Sequence, residues 1–109
     1  MEFRLYMAQR LTALLMAPLV FGHIAVMIYA VQGGLSAAEI LGRTQGSVFW
    51  FLFYGTFVFA VSIHASIGLR TILHEWSGLK GGLLNAVAAL ICAALLALGG
   101  RAVMAVTLL

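Results

Sequence analysis

Residues 48–69 read VFWFLFYGTFVFAVSIHASIGL, and this stretch decides the fold. It contains no Lys, Arg, Asp or Glu, and its one ionisable group near neutral pH is His64. A helix of about 20 apolar residues, rising about 1.5 Å per residue, crosses the hydrocarbon core of a bilayer. Two more runs meet that requirement, at residues 11–31 and 83–106. The whole composition agrees with them. Hydrophobic residues make up 64% of the 109, and charged residues 8%, against about 25% in soluble domains. A domain this small exposes most of its surface, and six basic plus three acidic side chains cannot cover it. A soluble fold is excluded, and so is disorder, which requires low hydrophobicity. The expected fold is an all-α membrane domain over residues 1–109, with three transmembrane helices. Three strong spans also argue against a cleaved signal peptide, whose apolar core is shorter.

The net charge of +3 does not indicate nucleic acid, because the six basic residues are scattered along the chain. They sit beside the apolar runs, as membrane-flanking charges do. Arg4 and Arg10 precede the first span, and Arg70 and Lys80 flank the second loop. With three spans these two segments share a side, so the N-terminus is expected inside and the C-terminus outside. Arg43 in the first loop and Arg101 late in span three fall to the other side. The single cysteine, Cys92, lies in an apolar run and has no internal partner.

The first loop, residues 32–47, reads either as an ordinary loop or as a short interfacial element. Gly33 and Gly34 close span one, and Ser36 with Glu39 fits a helix N-terminal capping box. Leu35, Ile40 and Leu41 would then lie against the membrane. Span three is rich in small residues, among them Ala86, Ala93, Ala97, Gly99 and Gly100. Small residues allow helices to pack closely in lipid, so a bundle of only three helices is expected to pair with a second chain.

Ionisable residues at membrane depth are the main functional signal. His23 lies in span one and His64 in span two, and Arg70, His74 and Glu75 mark the inner end of span two. His64 is six residues from Arg70, about 9 Å deep, and His23 is thirteen from Arg10, about 20 Å deep. The two histidines thus differ in depth by about 10 Å. Opposed nitrogens on one metal lie only about 4 Å apart, since each bond is about 2 Å. The pair therefore cannot ligate a single iron, and each would need a second ligand from another chain. Ala60 and Gly68, one turn either side of His64, leave room on its face for a flat ring. The competing reading makes both histidines interhelical hydrogen-bonding groups in a cofactor-free membrane protein, a small transporter subunit or a structural anchor.

The string from Ser62 to Trp76, SIHASIGLRTILHEW, resembles the pattern H-x-x-x-G-[IL]-R-x-x-x-x-[DE]-[FW] of the cytochrome b membrane-anchor subunits of succinate dehydrogenases and fumarate reductases. Gln9-Arg10-Leu11-Thr12-Ala13 is similar to that family's H-R-x-[ST]-G, with Gln9 and Ala13 as departures. The resemblance covers nearly the whole chain, and its specific part is about twenty residues. It implies that His64 is an axial haem b ligand and that Arg70 lies near the propionates. It implies that Arg10 borders the quinone site, with Tyr6 one turn earlier where the family often has a serine. His74 falls in the variable part of the motif, where a quinone-side or propionate-side role is implied, and Trp76 joins the same inner region or serves as an interfacial anchor.

His23 is similar to the first-helix histidines of two-haem anchors, which would give two haems shared with a second membrane-anchor subunit, Arg101 then serving a distal propionate or simply snorkelling to the interface. A single haem at His64 is the alternative. The further partners implied are a flavoprotein subunit, an iron–sulfur subunit and ubiquinone or menaquinone, in the bacterial inner (cytoplasmic) membrane. The chain has no dinucleotide fingerprint, cysteine cluster or nucleophile constellation of its own. It would pass electrons between the iron–sulfur subunit and quinone within a succinate:quinone oxidoreductase, and would not itself bind the dicarboxylate.

Overall fold

A computed structural model describes residues 3–108. Three long helices and one short one account for almost all of them: α1 (Phe3–Gly33), α2 (Ala37–Thr44), α3 (Val48–Ser77) and α4 (Gly81–Thr107). Helices α1, α3 and α4 are each long and apolar enough to cross a membrane, so the chain is a multi-pass membrane protein. In lipid every backbone N–H and C=O must be satisfied within the chain, and a helix does this locally. Pro18 lies inside α1 without ending it.

The helices outrun their apolar cores. α1 begins eight residues before Leu11, and α3 continues past Arg70 to Ser77. Both extensions lie at one end of the bundle, together with the start of α4, and they carry Arg4, Arg10, Arg70 and Lys80. The longest dimension is 47 Å, against about 30 Å of hydrocarbon. The basic end therefore projects beyond the membrane core. Polar residues of these extensions remain helical because helical periodicity continues until a stop signal arrives. For α3 that signal is Gly78, in the left-handed region at φ +76°, whose N–H donates to His74 O at 3.2 Å. Glycine takes that conformation without the Cβ penalty.

α3 is the central helix, packed on one side against α1 and more extensively against α4. Small residues set both distances. A Cβ added to Gly22 would stand 3.0 Å from Phe53 Cζ, and one added to Gly99 would stand 2.5 Å from Val58 Cγ1. Van der Waals packing of this kind, rather than hydrophobic burial, holds helices together in lipid. Little of the chain is buried: the apolar core consists of Ala60, Ile67, Leu84 and Val103. The remaining helix faces are available to lipid or to another chain.

Of the two readings of the first loop, the structure has the helical one. α2 starts after Ser36, whose hydroxyl accepts from the Glu39 N–H at 3.2 Å and donates to the Glu39 carboxylate at 2.6 Å. The loop also completes the end of α4. Thr44 Oγ1 donates to Val106 O at 2.6 Å, and Gly46 N donates to Thr107 O at 2.7 Å. These are carbonyls that a helix end leaves without intrahelical partners. The contact ties the start of α3 to the end of α4 at the end of the bundle opposite the basic one.

Candidate functional site

His64 lies on α3 at the α1–α3 interface and is half-buried. Its Nδ1 is 3.3 Å from Gln9 O and 3.4 Å from Thr12 Oγ1, both on α1. Thr12 is 9% exposed, and its hydroxyl donates back along α1 to Ala8 O at 2.7 Å and Gln9 O at 3.0 Å. Such back-bonding to the preceding turn is the usual way a helical threonine satisfies its proton. His64 Nε2 makes no hydrogen bond among the described residues. The open slot expected between Ala60 and Gly68 is not there within the chain. Ala60 is fully buried, and a Cβ at Gly68 would meet Gln9 Nε2 at 3.6 Å. Gln9 of α1 therefore sits at the Gly68 side of that face.

His23 lies on α1 beside α3. Its ring meets Phe57 edge-on at 5.2 Å and Tyr54 at 6.2 Å between centroids. Its Nδ1 is buried without a hydrogen-bond partner among the described residues. A buried polar atom left unpaired costs about 1–3 kcal/mol. The His23 side chain also lines an apolar cavity of about 580 Å³. That cavity is lined by His23, Met27, Tyr29, Arg43, Trp50 and Tyr54 among others. Its polar wall comes from Arg43, which donates to Gly34 O at 2.8 Å and stands 5.4 Å over the Tyr29 ring. A smaller cavity of about 360 Å³ adjoins His23 on the α4 side, lined by Val58 and Gly99.

The contacts place His64 level with Gln9 and Thr12, and His23 level with Tyr54 and Phe57. Counted along α3 that is a separation of about 10–15 Å, and along α1 about 17–21 Å. Both exceed the span of one bis-histidine iron, in line with the depth inferred from sequence. Both fit an iron porphyrin by donor chemistry: His64 has a ring nitrogen without a hydrogen bond among the described residues, and His23 has a nitrogen without a hydrogen-bond partner and a side chain that lines an apolar cavity of ligand size.

The remaining candidates divide into separate groups. Tyr6 and Arg10 stand together on α1, the guanidinium carbon 5.4 Å from the centre of the phenol ring, and both are exposed. Arg70 turns to α4 instead, its Nε donating to Asn85 Oδ1 at 3.0 Å. It lines a polar cup of about 450 Å³ with Thr71, His74, Glu75, Lys80 and Gly81. His74 Nδ1 is 2.7 Å from Leu79 O, so part of its bonding is spent on closing the α3–α4 turn. Trp76 is 87% exposed. Arg101 is exposed on α4 and lines neither of the two His23 cavities, whereas Arg43 lines the larger one.

Three participants went unassigned in the sequence. Gln9 and Thr12 back His64, and Arg43 lines the cavity of His23. Thr12 could be found from the pattern R-x-[ST], since Thr12 stands in the motif with no role given to it. Arg43 carries no local signal, because its position depends on how its side chain reaches back from α2 to Gly34 and Tyr29.

Among the described residues no cluster of His, Cys, Asp or Glu forms a self-contained metal site. Comparison with families of known proteins matches residues 2–102 to the model of the succinate dehydrogenase/fumarate reductase transmembrane subunit. Neither curated proteins nor solved structures show a significant match.

Proposed function

Because the chain belongs to the succinate dehydrogenase/fumarate reductase transmembrane subunit family over residues 2–102, we propose that it is the haem b-binding anchor through which such a complex exchanges electrons with membrane quinone. Its role as membrane anchor follows from the family and from three spanning helices. The observation that carries the finer reading is His64. A histidine at membrane depth has its Nδ1 within reach of two oxygens of α1 and its Nε2 without a hydrogen-bond partner among the described residues.

Haem b, when bound, supplies a one-electron carrier inside the membrane. His64 would hold one such group and His23 a second, each with the other ligand from a second membrane-anchor subunit. The protein residues do the rest. The His23 cavity has a mainly apolar wall, which suits the flat face of a porphyrin. Arg43 offers a fixed positive charge at the polar edge of that cavity. At the basic end, Arg10 and Tyr6 form a unit suited to a quinone head group. The guanidinium is always charged, and it lowers the cost of negative charge on a quinone oxygen as electrons arrive. The Tyr6 phenol can donate a proton to that oxygen. The projecting ends of α1 and α3 would meet the iron–sulfur subunit, which links the anchor to the flavoprotein.

The test is a reduced-minus-oxidised spectrum of the intact complex. A b-type signal is expected in the wild type, and His64→Ala is expected to lose the share of it that His64 holds. A wild-type complex without that signal would overturn haem binding and leave a structural anchor. His23→Ala is expected to halve the haem content. Unchanged content would restrict the protein to one haem.

A further inference from the structure

We infer that Thr12 and the Gln9 carbonyl form the acceptor pair that fixes the tautomer and ring orientation of His64, so that Nε2 carries the free lone pair. The inference rests on the reading of His64 as a haem ligand and adds two α1 groups to it. It follows from proton counting. A threonine hydroxyl has one proton, and that of Thr12 points at the carbonyls of Ala8 and Gln9, at 2.7 and 3.0 Å. The lone pairs of Oγ1 are thus what remains for His64 Nδ1 at 3.4 Å. The second neighbour of Nδ1 is the Gln9 carbonyl at 3.3 Å, which can only accept. An unprotonated Nδ1 would face two oxygens with lone pairs and no proton between them, in a half-buried site. Nδ1 therefore carries the hydrogen, and Nε2 is the basic nitrogen.

Thr12 acts through His64, as a positioning residue. Imidazole ligands are commonly oriented by an acceptor on the nitrogen away from the metal, which also raises their basicity. Two oxygens on one helix define the plane of the His64 ring more closely than one would. The geometry also couples the ligand to the quinone region, because Gln9 precedes Arg10 and Thr12 follows it by two residues on α1.

The experiment uses the assembled complex in membranes and compares wild type with Thr12→Val, Thr12→Ser and His64→Ala. Valine keeps the shape of threonine and removes the acceptor, and serine retains the acceptor. Haem retention on dilution, the midpoint potential of the His64-dependent haem and the electron paramagnetic resonance g values of its oxidised form are read. Thr12→Val is expected to weaken haem retention by roughly tenfold and to shift the potential upward, because the imidazole becomes a weaker donor. Thr12→Ser is expected to restore both.

An unchanged potential and unchanged g values in Thr12→Val would overturn the role of Thr12, even if less complex assembles. So would a Thr12→Ser variant that behaves like valine. If His64→Ala retains the full b-type signal, the ligand reading fails and the tautomer inference fails with it. That outcome is distinct from loss of the signal in His64→Ala with no effect of Thr12→Val.

Discussion

Gly99→Ala is expected to destabilise the α3–α4 pair, and the size of the effect can be worked from one contact. The added methyl carbon would lie 2.5 Å from Val58 Cγ1, 3.1 Å from Cγ2 and 3.4 Å from Cβ. Carbon atoms in contact settle at about 3.5–4.0 Å, so the overlap with Cγ1 is about 1 Å or more. Val58 cannot turn aside, because a valine in a helix is held to essentially one χ1 rotamer. The helices must part instead, and overpacking of this kind costs about 1–3 kcal/mol. α3–α4 is the most extensive packing in the chain, and in lipid no hydrophobic force between helices makes up the loss. The assay is thermal denaturation of the purified complex in detergent, comparing Gly99→Ala, Val58→Ala and the double variant. The first is expected to melt below wild type, and the double variant to recover most of the difference. The two residues touch, so a coupling of about 0.5–3 kcal/mol is expected. If Gly99→Ala melts with wild type, or the losses simply add, the close approach does not limit packing. Val58 and Gly99 also line the smaller His23 cavity, so the same samples should lose haem content at His23 before His64.

Three other outcomes follow from particular contacts. Thr44→Val removes the hydroxyl that donates to Val106 O, and a buried acceptor left unpaired costs about 1–3 kcal/mol. A lower melting temperature with an intact His64-dependent haem spectrum is expected, and an unchanged melt would mean that another donor replaces Thr44. The Glu39 carboxyl is held below its ordinary value of 4.5, first by the Ser36 hydroxyl. Its contribution to α2 is therefore present above pH 4.5 and is lost as the pH falls through the lower folded value. Hydrogen exchange of α2 amides should show protection fading in that acid range. Ser36→Ala should move the Glu39 titration up toward 4.5, and superimposable titrations would exclude the hydroxyl as the cause. Arg10→Ala is expected to lower quinone reduction by the complex at least tenfold, since one preorganised charge is worth a few kcal/mol at a reacting oxygen, while reduction of a soluble acceptor persists. Equal loss of both activities would indicate failed assembly instead.

The three spans, the need for a partner chain and the candidate ligands His64 and His23 were legible in residue order alone. Apolar length is a local property, and an ionisable side chain inside an apolar run stands out without knowledge of its neighbours. The Ser36–Glu39 cap was legible for the same reason, since all its atoms lie within one turn. Helix ends were less so: α1 begins at Phe3 and α3 runs on to Ser77, because helix formation does not stop where hydrophobicity does.

What folding alone decided is which helix faces which. Ala60 and Gly68 looked like room for a ring beside His64, but Ala60 is buried in the bundle and Gln9 of α1 lies against Gly68. Arg70 is six residues from His64, which on a helix of 3.6 residues per turn places it on another face, and it bonds to Asn85 of α4. Arg43 reached the His23 cavity because α2 packs against α4 and its arginine reaches back to Gly34 O. The same register brought Gln9 and Thr12 to His64 across more than fifty residues of chain. Composition and periodicity place a residue in the bilayer at a given depth. The azimuth of each helix is set by close contacts such as Gly22 with Phe53 and Gly99 with Val58, and these determine which side chains share a site.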